Sequence, residues 1–262
     1  MPKSSPLKAI LLDLDGVLYV GNDILPGAAQ AVARLRARHL ALAGVTNTTT
    51  TSRRALAEKL VGMGMRLAEK ELFTPAALAV QTIGRKSAQL FIRDALREDF
   101  KGIREVTDKP DFVVMGDPGG EGYAAETLKE VFVRVMGGSK LLALHKNRFW
   151  QRPDGLHLDL GAFVAAIEYA TGQEATVLGK PSKAFFHGIC AALGVSPAEV
   201  LMVGDDIESD IGGAMQAGLK TVLVQTGKYR DAFVQQVMRE KSIQPSLIIP
   251  SIADLPDALA KF

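Results

Sequence analysis

Residues 7–17 read Leu7-Lys8-Ala9-Ile10-Leu11-Leu12-Asp13-Leu14-Asp15-Gly16-Val17. The run is short and leucine-rich and closes on Asp-Gly, as a buried strand does when it delivers polar groups at its tip. Downstream, Ala29, Val32, Ala33 and Leu35 recur at helical spacing behind Pro26, with Arg34, Arg36 and Arg38 toward the end, where the helix dipole favours cations. A strand is predicted over 40–45. Past Ser52, the positions of Leu56, Leu60 and Met63 predict another helix, closed by Gly62 and Gly64. The alternation returns late in the chain: a helix over 182–193 stopped by Gly194, a strand over 200–203, a helix from 209 ended by Gly218, and a strand over 221–224. Strands alternating with helices build a doubly wound parallel sheet, and such sheets bind ligands beyond the carboxyl ends of their strands.

Between residues 79 and 176 a second series interrupts the first, with apolar runs at 89–92, 112–115 and 141–144 and helical patterns at 124–136 and 162–170. It predicts an inserted α/β unit. The 262 residues carry 31 Lys and Arg against 29 Asp and Glu, a net charge of +2. The insertion holds 13 basic and 14 acidic side chains and leaves 18 and 15 for the rest, so neither part hides a basic face. That balance excludes the one-sided field that holds nucleic acid or an anionic membrane, and fits a small neutral-to-anionic partner. No apolar stretch exceeds eight residues, where a bilayer span takes about 20. The single cysteine, Cys190, has no partner for an intramolecular disulfide, and the apolar run near the amino terminus, interrupted by Asp13, makes a poor signal sequence. The expected compartment is the cytoplasm. The chain contains neither a P-loop nor a G-x-G-x-x-G motif.

The chemistry gathers at strand tips. Asp13 and Asp15 stand two residues apart, with Gly16 letting the chain turn. Carboxylates that close repel unless a cation lies between them or one is protonated, and hard oxygen ligands completed by water and phosphate suit Mg2+. The strand at 200–203 runs on into Gly204-Asp205-Asp206-Ile207-Glu208-Ser209-Asp210, a second acidic cluster at a strand end. Within it Asp206 and Glu208 read as solvated or helix-terminal charges. The strand at 40–45 ends in Thr46-Asn47, followed by Thr48 to Thr51, and hydroxyl and N–H donors there can hold a phosphoryl oxygen as well as cap a helix. Gly179-Lys180-Pro181 sets a cation at another strand-to-helix junction.

In order and in residue type these four stations resemble the haloacid dehalogenase superfamily of phosphohydrolases: D-x-D-G-[TV] at Asp13–Val17, Thr46, Lys180, and G-D-x-x-x-x-D at Gly204–Asp210. The insertion is similar to the α/β cap of the nitrophenylphosphatase-like and N-acetylglucosamine-operon subclass. Asp-Gly-Val-Leu-Tyr, Val-Thr-Asn-Thr-Thr, Val-Leu-Gly-Lys-Pro-Ser and Thr-Gly-Lys-Tyr-Arg resemble more closely still the phospholysine/phosphohistidine inorganic pyrophosphate phosphatase group, whose members often carry Ser where this chain keeps Asp15. The resemblance implies an α/β fold, a Rossmann-like doubly wound parallel sheet core at 1–78 and 177–262 with an inserted α/β cap domain at 79–176. It implies a magnesium-dependent phosphatase for small phosphorylated metabolites acting through an aspartyl-phosphate. Asp13 is then the nucleophile and Asp15 the general acid and base. Mg2+ is held by Asp13, Asp205 and the main-chain carbonyl of Asp15, with Asp210 behind them. Thr46, Asn47 and Lys180 bind the phosphoryl group. The resemblance also implies a homodimer through the cap.

Two other functions use the same residues: a phosphotransferase or mutase passing the phosphoryl group from Asp13 to an alcohol, and a metal- or phosphate-binding regulator without turnover. For substrate selection the candidates are Gly116-Asp117 and His145-Lys146-Asn147-Arg148, although His145 alone reads as structural. Phe149-Trp150 reads as cap packing rather than a stacking platform. His39, His157 and His187 lack zinc-ligand spacing, and Cys190 reads as a buried, inert thiol beside Ile189 and Leu193.

Overall fold

The computed structural model describes residues 6–117, 122–152 and 155–262, the backbone alone at 149–152 and 155–156. The chain divides into two compact units: Met1–Thr46, Arg54–Phe73 and Lys180–Phe262 form one, Asn47–Arg53 and Thr74–Gly179 the other.

In the first unit the strand Ala9–Asp13 is buried at all five positions, so it is covered on both faces. It pairs in parallel with Ala41–Val45 on one side and Val200–Gly204 on the other. Leu72–Phe73 extends one edge, and Lys220–Val224 and then Leu247–Ile249 the other. Counted along the chain, the strand order is 3-2-1-4-5-6, all parallel, with the reversal between Ala9–Asp13 and Val200–Gly204. Period-two alternation splits the core: Val222 and Val224 join the cluster of Ile10, Leu12 and the helix Ala28–Arg36, while Leu223 packs with Ile207, Ile211 and the helix Asp231–Lys241.

The second unit has its own parallel sheet, of strands Ser87–Phe91, Arg104–Glu105, Phe112–Met115, Lys140–Ala143 and Thr176–Val177 in the order 2-1-3-4-5. Its helices are Pro75–Ile83, capped by the Thr74 hydroxyl, Ala125–Met136 and Leu160–Thr171. The segment before Arg54 belongs here: the Ser52 hydroxyl donates to Glu98 at 3.1 Å and the Arg53 N–H to Asp99 at 3.0 Å. Among the described residues no helix is long and apolar enough to cross a membrane.

The predicted strands and helices form within one or two residues of expectation, with one exception. No ordinary α-helix begins at 209. Ile207–Gly212 instead makes a wide turn in which the Ile211 N–H donates to the Asp206 carbonyl five residues back, at 3.2 Å, and α-helical geometry starts only at Gly213. The acids explain it. Asp206 accepts from the N–H groups of Glu208 and Ser209 at 3.0 Å, and Asp210 reaches back to accept from the Asp206 N–H at 3.1 Å, so two side chains compete with the helical ladder.

Candidate active site

The register places the stations. Asp13 stands across from Val45, so Thr46 follows at the neighbouring strand tip, and Leu12 stands across from Val203, which puts Gly204-Asp205 next along the same edge. This is the carboxyl edge at the reversal of strand order, where an open parallel sheet leaves a crevice. Thr46 is buried, and its N–H donates to the Phe73 carbonyl at 3.2 Å.

Lys180 comes in from the far side of the insertion. Its Nζ lies 2.7 Å from Asp13 Oδ1 and 2.7 Å from Asp210 Oδ1. Burial works against the ammonium charge, but the two carboxylates outweigh it and hold the Lys180 pKa above the ordinary lysine range. Asp205 is 1% exposed, and its Oδ2 accepts the Lys228 N–H at 2.7 Å. Burial, then the charges of Asp13 and Asp210, push Asp205 above the usual carboxylate range. Burial and the charge of Asp13 raise Asp210 in the same way, against the pull of Lys180. Three buried acids thus face one ammonium.

Two glycines let the chain approach Asp205. Gly16 has φ 89° and Gly227 φ 60°, and a Cβ at either would lie 2.0 and 2.1 Å, respectively, from Asp205 Oδ2.

The haloacid dehalogenase-like hydrolase family pattern matches residues 10–107, and a HAD-hydrolase-like pattern matches residues 177–255. Over 228 residues the chain is 42% identical to the Bos taurus haloacid dehalogenase-like hydrolase domain-containing protein 2, covering 86% of this chain and 87% of that one. The chain belongs to the haloacid dehalogenase-like hydrolases. Within that family it is also 37% identical over 232 residues to a Danio rerio protein named phospholysine phosphohistidine inorganic pyrophosphate phosphatase, covering 86% and 85% of the two chains. Its fold matches the structure of a p-nitrophenyl phosphatase from Archaeoglobus fulgidus with a TM-score of 0.90, at 24% identity over 97% of this chain and 100% of that one.

In this haloacid dehalogenase-like hydrolase the acid cluster fits a divalent cation. Asp13, Asp205 and Asp210 each offer a carboxylate oxygen, all within 4.8 Å of one another, the one such group among the described residues. Asp205 Oδ1 is buried without a hydrogen-bond partner, a cost that a cation would remove. A divalent cation would let all three acids ionise beside the one Lys180 ammonium, and the donors are all hard oxygens.

The remaining predicted residues lie at the margin of this cluster or in the other unit. The Asp15 side chain is exposed, while its backbone bridges to Tyr19, whose phenol pKa is raised by burial and by the charges of Asp15 and Asp13. Asn47 falls in the second unit, its amide oxygen against Gly179. There too Asp117 pairs with Arg93 at 2.8 Å, Lys146 with Glu168 at 2.6 Å, and buried His145 lies 3.8 Å from Asp159, the residue that caps the helix Leu160–Thr171. Side chains at Phe149 and Trp150 lie outside the described residues. Asp206 caps the turn that follows it, Glu208 pairs with Lys241, and Cys190 is buried, its thiol pKa raised by that burial.

Sequence reasoning used Thr226-Gly227-Lys228-Tyr229-Arg230, after Lys220–Val224, only as a mark of family resemblance and gave that loop no part in the site. Beyond the Lys228 N–H on Asp205, the Thr226 hydroxyl donates to the Gly16 carbonyl at 2.6 Å, and the Lys228 ammonium lies 3.4 Å from Asp206. The available signal was Thr226-Gly227-Lys228 at the tip of the next parallel strand.

Proposed function

We propose that the chain is a magnesium-dependent phosphatase for small phosphorylated metabolites, working through an aspartyl-phosphate on Asp13. The observation that carries this reading is the Lys180 ammonium, bonded to both Asp13 and Asp210 beside an unpartnered buried oxygen of Asp205. Lysine and a hard cation together suit a dianionic phosphoryl group and an anionic nucleophile. A relative named for phosphatase activity and a solved neighbour named p-nitrophenyl phosphatase support the same reaction class.

In this mechanism the Asp13 oxygen not held by Lys180 attacks phosphorus, and the ester P–O bond breaks with its electron pair leaving on the ester oxygen. Asp15 gives that oxygen a proton. Water then attacks phosphorus, Asp15 takes up the proton released, and the Asp13 carboxylate departs, leaving inorganic phosphate. Lys180, the Thr46 hydroxyl and the Asn47 amide hold the phosphoryl oxygens, and most of the acceleration comes from this positioning and charge neutralisation. Mg2+, held by Asp13, Asp205 and the Asp15 carbonyl with Asp210 behind them, would supply the remaining positive charge. Substrate choice falls to residues 79–176, and catalysis to 1–78 and 177–262.

Hydrolysis of p-nitrophenyl phosphate tests the reading: Mg2+ should support release of nitrophenol and phosphate in equal amounts, EDTA should abolish it, and Asp13→Asn should remove it with the melting temperature kept. Turnover surviving in Asp13→Asn would exclude the covalent route. A panel of sugar phosphates, phospholysine, phosphohistidine and pyrophosphate, ranked by kcat/KM, then names the substrate. We further propose a homodimer through the second unit, because Val133 and Met136 on one helix and Tyr169 on the next are exposed apolar or aromatic groups there, Tyr169 at 94%. Sedimentation velocity should show a dimer that Tyr169→Glu with Met136→Glu converts to monomer, and a wild-type monomer at micromolar concentration would rule it out.

A further inference from the structure

We propose that Thr226, Gly227 and Lys228 are positioning residues that fix Asp205 and the Gly16 main chain for a divalent cation, an inference that rests on the metal reading of the acid cluster. The loop grips both sides of the site at once. The Lys228 N–H takes one oxygen of Asp205, at 2.7 Å, and leaves the other, Oδ1, buried without a partner. The Thr226 hydroxyl takes the Gly16 carbonyl at 2.6 Å, so the turn that follows Asp13 is tied to the tip of a strand more than two hundred residues later in the chain. Gly227 lets these bonds coexist: at φ 60° its Cα side packs so close that a Cβ would meet Asp205 Oδ2 at 2.1 Å and the Gly16 Cα at 2.5 Å.

The loop also bonds to itself. The Tyr229 N–H donates to the Thr226 carbonyl at 3.1 Å, and the Arg230 guanidinium donates to the carbonyls of Gly227 at 3.0 Å and Tyr229 at 2.6 Å. The Lys228 ammonium points outward, 67% exposed, beside Asp206. The useful donor on Asp205 is therefore the main-chain N–H. A carboxylate fixed on one oxygen by a main-chain donor offers the other in a single direction, which is how groups behind a metal ligand set its affinity.

Mn2+ is the probe, its free concentration read from the electron paramagnetic resonance signal of the hydrated ion, with the melting temperature in EDTA measured alongside. Thr226→Val should weaken Mn2+ binding about 10-fold or more while melting in EDTA within a few degrees of wild type, and Gly227→Ala, whose Cβ must displace Asp205 or Gly16, should weaken it likewise with a loss of stability. Thr226→Ser, which keeps the hydroxyl, should restore the wild-type dissociation constant. If Gly227→Ala fails to fold, the Thr226 pair decides. Unchanged Mn2+ affinity in folded Thr226→Val overturns the proposal, as does equal weakening in Thr226→Val and Thr226→Ser. Wild-type protein that binds no Mn2+ overturns the metal reading itself, an outcome distinct from either.

Discussion

Lys180 has given up almost all contact with water and holds two carboxylates at 2.7 Å in its place. Removing one member of such a buried set leaves the others uncompensated, and this is why Asp13, Lys180 and Asp210 are better altered isosterically than truncated. Asp15 differs: its side chain is exposed and does not hold the cluster together, which leaves it open to the proton-transfer role proposed for it. Asp15→Asn should therefore slow hydrolysis about 10²–10⁴-fold for alkyl phosphates and much less for p-nitrophenyl phosphate, whose leaving group needs no proton. Equal losses on both substrates would deny Asp15 the acid role. At this scale Asp13, Asp205, Asp210 and Lys180 were legible, because a charged side chain at a strand tip has few structural reasons to be there. Gly227 and Lys228 were not. What they supply to Asp205 is a close backbone approach and an N–H, and every residue but proline carries that N–H.

The strand Ala9–Asp13 shows what the elements contribute. Its apolar residues are fully buried with neighbours on both faces, so shortening one leaves a cavity under Asp13. Leu12→Ala should cost about 2–5 kcal/mol in urea unfolding. It should lower kcat as well, since Leu12 stands opposite Val203 in the pairing that brings Asp205 beside Asp13. A loss under 1 kcal/mol would show that the strand collapses without consequence. Many strands and helices were readable from periodicity, because burial dictates which positions are apolar, although the helices Pro75–Ile83 and Asp231–Lys241 and the strand Leu247–Ile249 were not predicted. The turn at Ile207–Gly212 was not, since its shape comes from Asp206 and Asp210 bonding to nearby main-chain N–H groups. That competition with the helical ladder leaves the apolar spacing of Ile207 and Ile211 untouched.

For the whole molecule, the charge deficit among Asp13, Asp205 and Asp210 predicts that a cation stabilises the folded chain. With Mg2+ at about 100 times its dissociation constant, linkage adds about 2.7 kcal/mol. In a chain of this size that raises the melting temperature by about 5–10 °C. Scanning calorimetry with and without EDTA should show the rise in wild type and its loss in Asp205→Asn; the same rise in both would place the ion elsewhere. The first sheet also pairs Ala9 with Val200, across the whole of the second unit. During synthesis the ribosome delivers the earlier strand first, and its central partner emerges only after the insertion is complete. The second unit, whose strands are all local to it, is free to fold while that apolar strand, already able to pair with Ala41–Val45, waits with its other edge open. Newborn chains stalled before Val200 therefore present a hydrophobic edge to chaperones, and it is the last third of translation that closes it.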